Sequence, residues 1–533
     1  MFPIPALNLR TTAVAAAVIA IGCNKGAPAT TPDGGVDAPV VDAPVVDSPP
    51  DSPPDASPDA PPDAPATMTV HGTGTIHWVG DPGAIDRPFD LSRLLFASFT
   101  PTASGFERRT GTGAADGTFD VPVGLGAPSW QLGFNATGQP PRFLVGNALR
   151  PDLSTFLLGR PDRRFPAQPT SLTINATGLA PWQLAHELGI LSSNAGALLL
   201  GTQVVPIDVG DTAIAGKTTD WFEPLIDAAK GDTALVFQLS DKNADPPGSN
   251  GFYVALTKAG VAAPFAMTEG AATAMTVALA DVPQSRALTV HVRRSQFDAL
   301  RAQVGPGAQP ARTFQHSLFI HALPRAQQRG FFDAAPRVAR FFGSEGTADY
   351  DQSFLYGNPF QTAGVGWDEF VVARHGFFVP VLAAGATTAA NLDVGFLAYL
   401  PVSALAVDGT IAPTITPVLN LTIGGADLMT PRTGVGLTPT IAWDAPELGA
   451  PTCYSVRLHR VGVTSTSTTL RLVATFLTTA RSLTLPDTLL STGNSYVLVI
   501  GAQAVPDYAC TSAPFVSGLQ AGFADAATAQ FTP

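Results

Sequence analysis

Hydrophobic positions in this chain fall in short runs that are apolar or alternate with polar residues, and turn residues separate the runs. The chain of 533 residues contains 51 Gly and 49 Pro, and stretches with a helical period are rare. Short strands at this spacing are typical of antiparallel β-sandwiches. The pattern predicts strands at residues 94–99, 118–123, 130–134, 171–174, 233–239, 252–256, 288–292 and 377–381.

One stretch has the period of an amphipathic helix. At residues 295–304, Phe297, Leu300 and Val304 fall on one face, and Gly305-Pro306 ends the pattern. The predicted fold is therefore mostly β, with tandem antiparallel β-sandwich modules and little helix.

Proline-bearing joints divide residues 67–533, a length that exceeds one hydrophobic core and suits several modules. These joints lie near residues 166–169, 306–310 and 413–417. We expect a rod made of a sandwich at 67–168, two β-rich modules of no recognised family at 169–306 and 307–411, and a last module at 412–533.

An apolar run at residues 13–21 follows Arg10 and leads into Ala20-Ile21-Gly22-Cys23. The run has the length of a signal-peptide core and is too short to span a bilayer. Its end resembles the lipobox of bacterial lipoproteins, in which the cysteine thiol is acylated before the signal is cleaved. The resemblance implies a signal peptide at 1–22 and a lipid such as palmitate on Cys23. The alternative is an ordinary secretory signal followed by an unrelated cysteine.

Residues 23–66 consist mainly of Asp, Ala and Pro, and acids recur at steps of five and then four residues: Asp37, Asp42, Asp47, Asp51, Asp55, Asp59 and Asp63. Proline removes backbone donors, like charges repel, and no residue here could build a core. We expect a disordered tether with a maximal reach of about 120 Å, a passive spacer that lifts a folded body from a membrane. Asn24 stands where lipoproteins retained at the inner membrane commonly have aspartate, so the resemblance favours the outer membrane.

The charge balance argues against one class of partner. The chain carries 42 acids against 30 bases, and part of the acidic excess lies in the tether. A general nucleic-acid-binding protein would show a strong basic excess. Nucleic acid is therefore not an expected partner.

The last module carries a pattern of large core residues. Its informative positions are Pro439-Thr440-Ile441-Ala442-Trp443, the alternating Tyr454, Val456 and Leu458, and then Leu490, Gly493, Tyr496, Leu498, Ile500 and Ala502. These residues resemble the second strand, the third strand and the tyrosine turn of a fibronectin type III domain. The resemblance implies that Trp443 is a core residue and that Tyr496 bonds back to the preceding corner. It indicates a fold and no activity.

The first module shows a fainter likeness. Asp116-Gly117-Thr118-Phe119-Asp120-Val121 resembles the tight turn and strand of carboxypeptidase-regulatory or transthyretin-like sandwiches. A generic hairpin explains the same glycine and the same alternation, so both interpretations stay open.

Cysteine usage is consistent with an exported chain. With Cys23 acylated, Cys453 and Cys510 remain as an even pair, and in an oxidising compartment such a pair suggests one disulfide. In a fibronectin-like arrangement Cys453 begins the third strand and Cys510 follows the sixth, and these strands lie side by side.

Candidate metal sites are weak. His186-Glu187 begins like a zinc-protease helix, but Ile190 occupies the position of the second histidine. Asp241, Asn243 and Asp245 alternate as calcium ligands do, yet Pro246 replaces the required glycine and no glutamate closes the loop. Calcium is a weak candidate beside the alternative of a polar hairpin loop, and no other cofactor is expected.

Arginines are concentrated at residues 286–340, where nine of them are interleaved with phenylalanines. Guanidinium groups suit sulfate, phosphate and carboxylate. Arg293, Arg294, Arg325 and Arg329 are therefore candidates for binding an acidic envelope polysaccharide. The alternative is that these arginines pair with acids on neighbouring strands.

These features predict a lipid-anchored protein of the outer membrane with a non-catalytic binding or scaffolding role in the cell envelope. Its expected partners are the membrane, through the lipid, and an acidic envelope polysaccharide or another envelope protein. The alternative is a hydrolase of envelope or extracellular polymers with its site within residues 169–411. Clustered carboxylates in a cleft would favour the hydrolase, and flat sandwiches with an exposed arginine or aromatic face would favour binding.

Overall fold

The computed structural model describes residues 67–80, 83–125, 129–201, 204–243, 252–311, 315–324, 335–343, 346, 348–362, 367–518 and 521–533. Some of the sequence predictions lie outside the described residues: the signal peptide at 1–22, Cys23 and the tether at 23–66, and the side chains of Asp245, Arg325 and Arg329.

The first segment is a sandwich with alternating strands. Its strands are β1 (Thr67–Thr73), β2 (Thr75–Gly80), β3 (Gly83–Pro88), β4 (Leu94–Thr102), β5 (Gly105–Gly113), β6 (Thr118–Gly124), β7 (Trp130–Ala136), β8 (Arg142–Gly146) and β9 (Thr155–Leu158), with a 3₁₀ turn at Leu91–Arg93. The larger layer contains β5–β4–β7–β8 and the pair β1–β6, and β3–β2–β9 form the smaller layer. In β6, Phe119 and Val121 are buried while Asp120 is exposed, because successive side chains point to opposite faces.

The second segment has its own core between two layers. Its strands are β10 (Ser171–Thr177), β11 (Glu187–Ser192), β12 (Ala197–Gly201), β13 (Ala213–Asp220), β14 (Leu235–Asn243), β15 (Phe252–Val261), β16 (Ala272–Ala278) and β17 (Ala280–Asp281), with a 3₁₀ turn at Ala228–Lys230. One layer is β12–β11–β14–β15–β17, and the other is β13–β10–β16. Trp182, Trp221 and Met275 pack in the core between the layers.

The third segment contains the helices. Its elements are β18 (Arg286–Val292), α1 (Arg294–Ala299), α2 (Arg301–Val304), β19 (Gln309–Pro310), β20 (His316–Pro324), β21 (Arg337–Gly343), β22 (Tyr350–Tyr356), β23 (Trp367–Val381), β24 (Ala390–Pro401), α3 (Val402–Asp408) and β25 (Thr410–Ile411), with a 3₁₀ turn at Pro359–Thr362. The layers are β21–β20–β23–β24 and β22–β18–β25. The predicted helix is present as α1 and α2, with Phe297 and Val304 buried. Strand β18 precedes the expected joint at 306–310 yet pairs with β22 and β25 beyond it, so the change of sheet lies ahead of that joint.

The last segment is a two-layer β-sandwich. Its strands are β26 (Leu419–Ile423), β27 (Ala426–Asp427), β28 (Thr440–Asp444), β29 (Cys453–Thr464), β30 (Ser467–Thr478), β31 (Ser482–Thr484), β32 (Ser495–Ala504) and β33 (Ala521–Ala527). The layers are β27–β26–β28–β31 and β30–β29–β32–β33. Trp443 is 3% exposed and packs on Tyr454. The Ser491 backbone N–H donates to Tyr496 Oη at 2.9 Å, which is the corner bond that the sequence resemblance implies.

Cys453 and Cys510 form a disulfide at the boundary between the last segment and the first. Their Cα atoms are 6.1 Å apart, and they are separated by 57 positions in the chain. Both cysteines pack in one hydrophobic core with Val70 and Phe134 of the first segment. The disulfide therefore links two parts of the last segment and packs in a core that this segment shares with the first.

The larger layers of the four segments join edge to edge into one 20-stranded sheet. Strand β15 pairs with β21, β24 with β33, and β30 with β8 in parallel. Each junction covers strand edges that would otherwise expose unpaired backbone groups. Each predicted strand overlaps an observed one, and the mostly β sandwich fold is confirmed. The expected rod is wrong, because the last segment pairs with the first and closes a cycle of contacts.

Candidate functional site

The described arginines of residues 286–340 are mostly engaged inside the protein. Arg286 contacts Glu369 at 3.4 Å, and Arg293 contacts Asp349 at 3.9 Å with a side chain that is 39% exposed. Arg294 is 3% exposed, so it is not part of an exposed face for a polymer. These contacts match the alternative in which arginines pair with groups on neighbouring strands.

One buried ion cluster lies where the second and third segments meet. Glu187 begins β11, and its side chain is 2% exposed. Arg337 Nη1 donates to Glu187 Oε1 at 3.2 Å, and Arg340 Nη1 also contacts this carboxylate. Arg340 Nη2 donates to the Ala185 carbonyl at 2.8 Å. Two cations on one buried carboxylate compensate the cost of removing these charges from water, so Glu187 has a structural role at this junction.

His186 is a buried residue directly before strand β11. It therefore does not lie on a zinc-binding helix. Its Nε2 accepts the Asp241 backbone N–H at 3.1 Å, and its Nδ1 contacts Gln238 Nε2 at 3.1 Å. Both ring nitrogens are therefore engaged within the protein. Burial lowers the pKa of His186 despite the nearby Asp241 carboxylate, and it raises the pKa of Asp241 despite His186 and Arg340.

Of the three calcium candidates, the structure describes Asp241 and Asn243. Asp241 Oδ1 lies 3.5 Å from His186 Nε2 and near the Arg340 guanidinium, whereas a calcium site needs several oxygen ligands. Asn243 is exposed at the end of β14. Across the part of the chain that the structure describes, no group of three or more His, Cys, Asp or Glu side chains is placed to hold a metal ion.

A second buried polar cluster lies in the third segment, and sequence reasoning missed it. His316 and His375 face each other across the neighbouring strands β20 and β23, and they are 0% and 1% exposed. Their Nδ1 atoms are 3.4 Å apart. Gln315 Nε2 lies 3.5 Å from His375 Nε2. We call Arg294, Gln315, His316, Tyr350 and His375 the histidine cluster.

Aromatic rings and Arg294 enclose the histidine cluster. Phe297 stacks on His375 with ring centroids 5.0 Å apart, and Tyr350 packs edge-on against His316 at 5.7 Å. The Arg294 guanidinium lies over the Tyr350 ring at 5.6 Å, and its Nη2 donates to the Gly346 carbonyl. Burial lowers the pKa of His375 to about 3, so this imidazole is neutral near pH 7. Burial, then His375 and Arg294, lower the pKa of His316 well below its usual value.

A cavity adjoins the histidine cluster at the junction with the last segment. His316, His375, Phe297, Phe396 and Phe523 are among the residues that line it. About 10 Å³ of it can hold the centre of a water-sized sphere, which is about the space that one water molecule needs. The cavity is therefore too small for a polymer segment.

Three further histidines form exposed cross-strand pairs with aspartate. The Nδ1–Oδ1 distances are 2.6 Å for His71–Asp120, 2.8 Å for His77–Asp86 and 2.7 Å for His291–Asp351. In each case the two residues stand directly opposite on antiparallel strands. The sequence showed no carboxylate at ligand spacing because each partner comes from another strand.

No protein-family model and no curated protein matches the chain. A leucine-rich repeat protein from Bacteroides thetaiotaomicron shows 8% identity and a TM-score of 0.13 over 39% of this chain, and the match spans 26% of that structure. The FN1–FN3 domains of chicken CNTN1 show 9% identity and a TM-score of 0.13 over 82% of this chain and 90% of theirs. TM-scores this low carry no argument about fold or function.

No helix within the described ranges has the length and apolar character needed to cross a bilayer.

Proposed function

We propose that the protein is a lipid-anchored scaffold or binding protein of the bacterial cell envelope, located at the outer membrane. Support for the anchor comes from the sequence Ala20-Ile21-Gly22-Cys23 after an apolar run of signal-peptide length. The Asp- and Pro-rich residues 23–66 would act as a tether between lipid and body. Asn24 favours the outer membrane over the inner one.

The observation that supports a scaffolding role is the continuity of the sheet. Four sandwiches share one 20-stranded sheet, and one hydrophobic core contains residues from Ala97 to Phe531. A body built in this way holds its surface loops in fixed relative positions, which suits a protein that presents binding surfaces to partners. An acidic envelope polysaccharide or another envelope protein remains the proposed partner.

Buried carboxylates in residues 169–411 also fit a non-catalytic role better than a hydrolase. Glu187 is bound by Arg337 and Arg340. Asp232 has a fully buried side chain and accepts two bonds from Arg160, each at 3.0 Å. Glu369 accepts from Tyr356 Oη at 2.7 Å. Carboxylates engaged in this way serve as structural partners, and general acid–base catalysis needs a group within reach of substrate.

The anchor is tested by replacing Cys23. Cys23→Ala should leave the protein without an acylated N-terminus and move it out of the membrane fraction, as read by intact mass and fractionation. Asn24→Asp is the matched variant: acylation should persist while the protein moves from the outer to the inner membrane. A Cys23→Ala protein with the same N-terminal mass and the same fractionation as the unchanged protein would refute the lipobox interpretation.

A further inference from the structure

The histidine cluster contains buried polar atoms that have no partner within the described part of the chain. These atoms are Arg294 Nε, His316 Nε2 and Tyr350 Oη. Arg294 and His316 are 3% and 0% exposed, so bulk water does not solvate them. A buried cation without an anion costs free energy, and a buried donor without an acceptor adds to that cost. A hydrogen-bond acceptor bound in the cluster would therefore remove this cost.

The contacts from Gln315 to His375 and from His375 to His316 assign which ring nitrogens are donors. As the Gln315 amide is placed, its Nε2 can only donate, so His375 Nε2 at 3.5 Å accepts. A neutral imidazole carries one N–H, so His375 Nδ1 then holds the proton and donates to His316 Nδ1 at 3.4 Å. His316 Nε2 must carry the remaining proton. In this arrangement His316 Nε2 is a donor without an acceptor among the described residues.

Charge adds to this donor set. Arg294 brings a positive charge, and no salt bridge joins its guanidinium to a carboxylate among the described residues. The adjacent Asp349 bonds instead to the Ser295 backbone N–H at 2.9 Å and hydroxyl at 2.8 Å. Burial lowers the pKa of both histidines, so both are neutral near pH 7 and His316 contributes a neutral donor. A site with one cation and three donors is complementary to a negative charge.

We propose that the histidine cluster binds one small inorganic anion of halide size, held by Arg294 Nε, His316 Nε2 and Tyr350 Oη. The rings of His316 and Tyr350 lie 5.7 Å apart, and Phe297 and Phe341 pack beside them. This enclosure excludes a polymer and leaves a small ion as the ligand. Gly346, whose carbonyl accepts from Arg294 Nη2, is an exposed residue beside the cluster. The proposal is independent of the lipid anchor and of the partner proposed above.

The test measures the unfolding constant of the full-length protein at pH 7 while bromide replaces gluconate at constant ionic strength. When an anion binds only the folded state and its concentration exceeds Kd, the unfolding constant falls in inverse proportion to the anion concentration. Arg294→Met should abolish this dependence. Arg293→Met removes the same charge from the neighbouring, partly exposed residue and should retain it. Tyr350→Phe should weaken bromide binding about tenfold, as expected for one hydrogen bond to a charged group.

Crystals of the unchanged protein grown in bromide provide a second readout that does not depend on the variants. An anomalous peak beside Arg294 Nε, together with loss of the bromide effect in Arg294→Met or Tyr350→Phe, supports the site. Density without anomalous signal at this position means that water satisfies the donors, and it overturns the proposal. A bromide effect of equal size in Tyr350→Phe and in the unchanged protein also overturns it, even where Arg294→Met fails to fold.

Discussion

At the scale of single residues, the protein buries many polar groups and gives most of them a partner from a distant part of the chain. Glu187 meets Arg337 and Arg340 across a segment junction, and Asp232 meets Arg160. Such pairs contribute little net stability compared with apolar residues, yet removal of one partner leaves an uncompensated charge. Substitutions at these residues should therefore reveal the role of each pair.

Glu187→Gln should lower the free energy of unfolding by about 3–5 kcal/mol, because Arg337 and Arg340 would remain buried without their carboxylate. Urea unfolding measures the change. The control is Glu107→Gln, which removes a carboxylate that is 39% exposed and pairs with Arg109 at 2.7 Å. It should cost about 1 kcal/mol or less. Equal costs for the two variants would contradict a structural role of Glu187 at the junction.

Stability should fall as the pH falls below about 6.5, and His375 is one cause. Its pKa is about 3 in the folded protein against about 6.5 in an unfolded chain. Between these values the unfolded state binds the proton and the folded state does not, so each such histidine removes roughly 1 kcal/mol per pH unit. His375→Gln should flatten the plot of unfolding free energy against pH by that slope between pH 6 and 4. Parallel plots for the two proteins would show that His375 does not titrate in this way.

At the scale of elements, alternation along strands and turns between them account for the sandwiches. In β29, Tyr454, Val456 and Leu458 are buried while the residues between them are less so, as the sequence pattern predicts. The corner before β32 depends on one side chain, since the Ser491 N–H donates to Tyr496 Oη. Gly493 in this turn has φ of +79°, which favours glycine.

Tyr496→Phe should lower the free energy of unfolding by about 1–2 kcal/mol, because the Ser491 N–H loses its acceptor while the ring is retained. Thermal or urea unfolding measures the difference. Tyr454→Phe is the matched control, since Tyr454 is also buried and packs on Trp443 without a corner bond. We expect a smaller change there. A larger loss in the control than in Tyr496→Phe would argue against the corner bond.

At the scale of the whole molecule, the ends of the described chain are joined. Strand β8 pairs in parallel with β30, and Phe143 stacks on Phe476 with ring centroids 4.6 Å apart. The Cys453–Cys510 disulfide lies in the same shared core. Cys453 and Cys510 are 57 positions apart in the chain. Closing a loop of that length stabilises the folded state by about 4 kcal/mol in the chain-entropy model. The first and last segments should therefore unfold together.

Phe143→Ala should lower stability by about 3–5 kcal/mol, the usual cost of removing a buried aromatic ring. Because Phe143 contacts Phe476, hydrogen exchange should rise in β30 as well as in β8. The control is Phe119→Ala, which removes a ring stacked on Phe96 within the first segment, and its effect on β30 should be smaller. Protection of β30 that is unchanged in Phe143→Ala would mean that the segments are energetically separate.

Part of the candidate chemistry could be predicted from the sequence. The arginine-rich stretch was visible, and so was the weakness of the zinc and calcium patterns. The histidine cluster was not, because His316 and His375 are separated by many residues and meet only through the pairing of β20 with β23. The sequence favours Arg294 as a surface ligand for an acidic polymer, whereas the structure buries it beside Tyr350.

The sequence by itself determined part of the local structure, namely eight of the strands and the short helix after β18, and the fibronectin resemblance implied the core positions of Trp443 and Tyr496. Alternation, turn residues and helical period are local properties, and a few neighbouring residues are enough to specify them. Only the tertiary structure decided that the segments close a cycle through β8 and β30 and that buried charges meet at segment junctions. Edge-to-edge pairing is made by backbone N–H and C=O groups that every residue except proline has, so the sequence does not show which edges will pair.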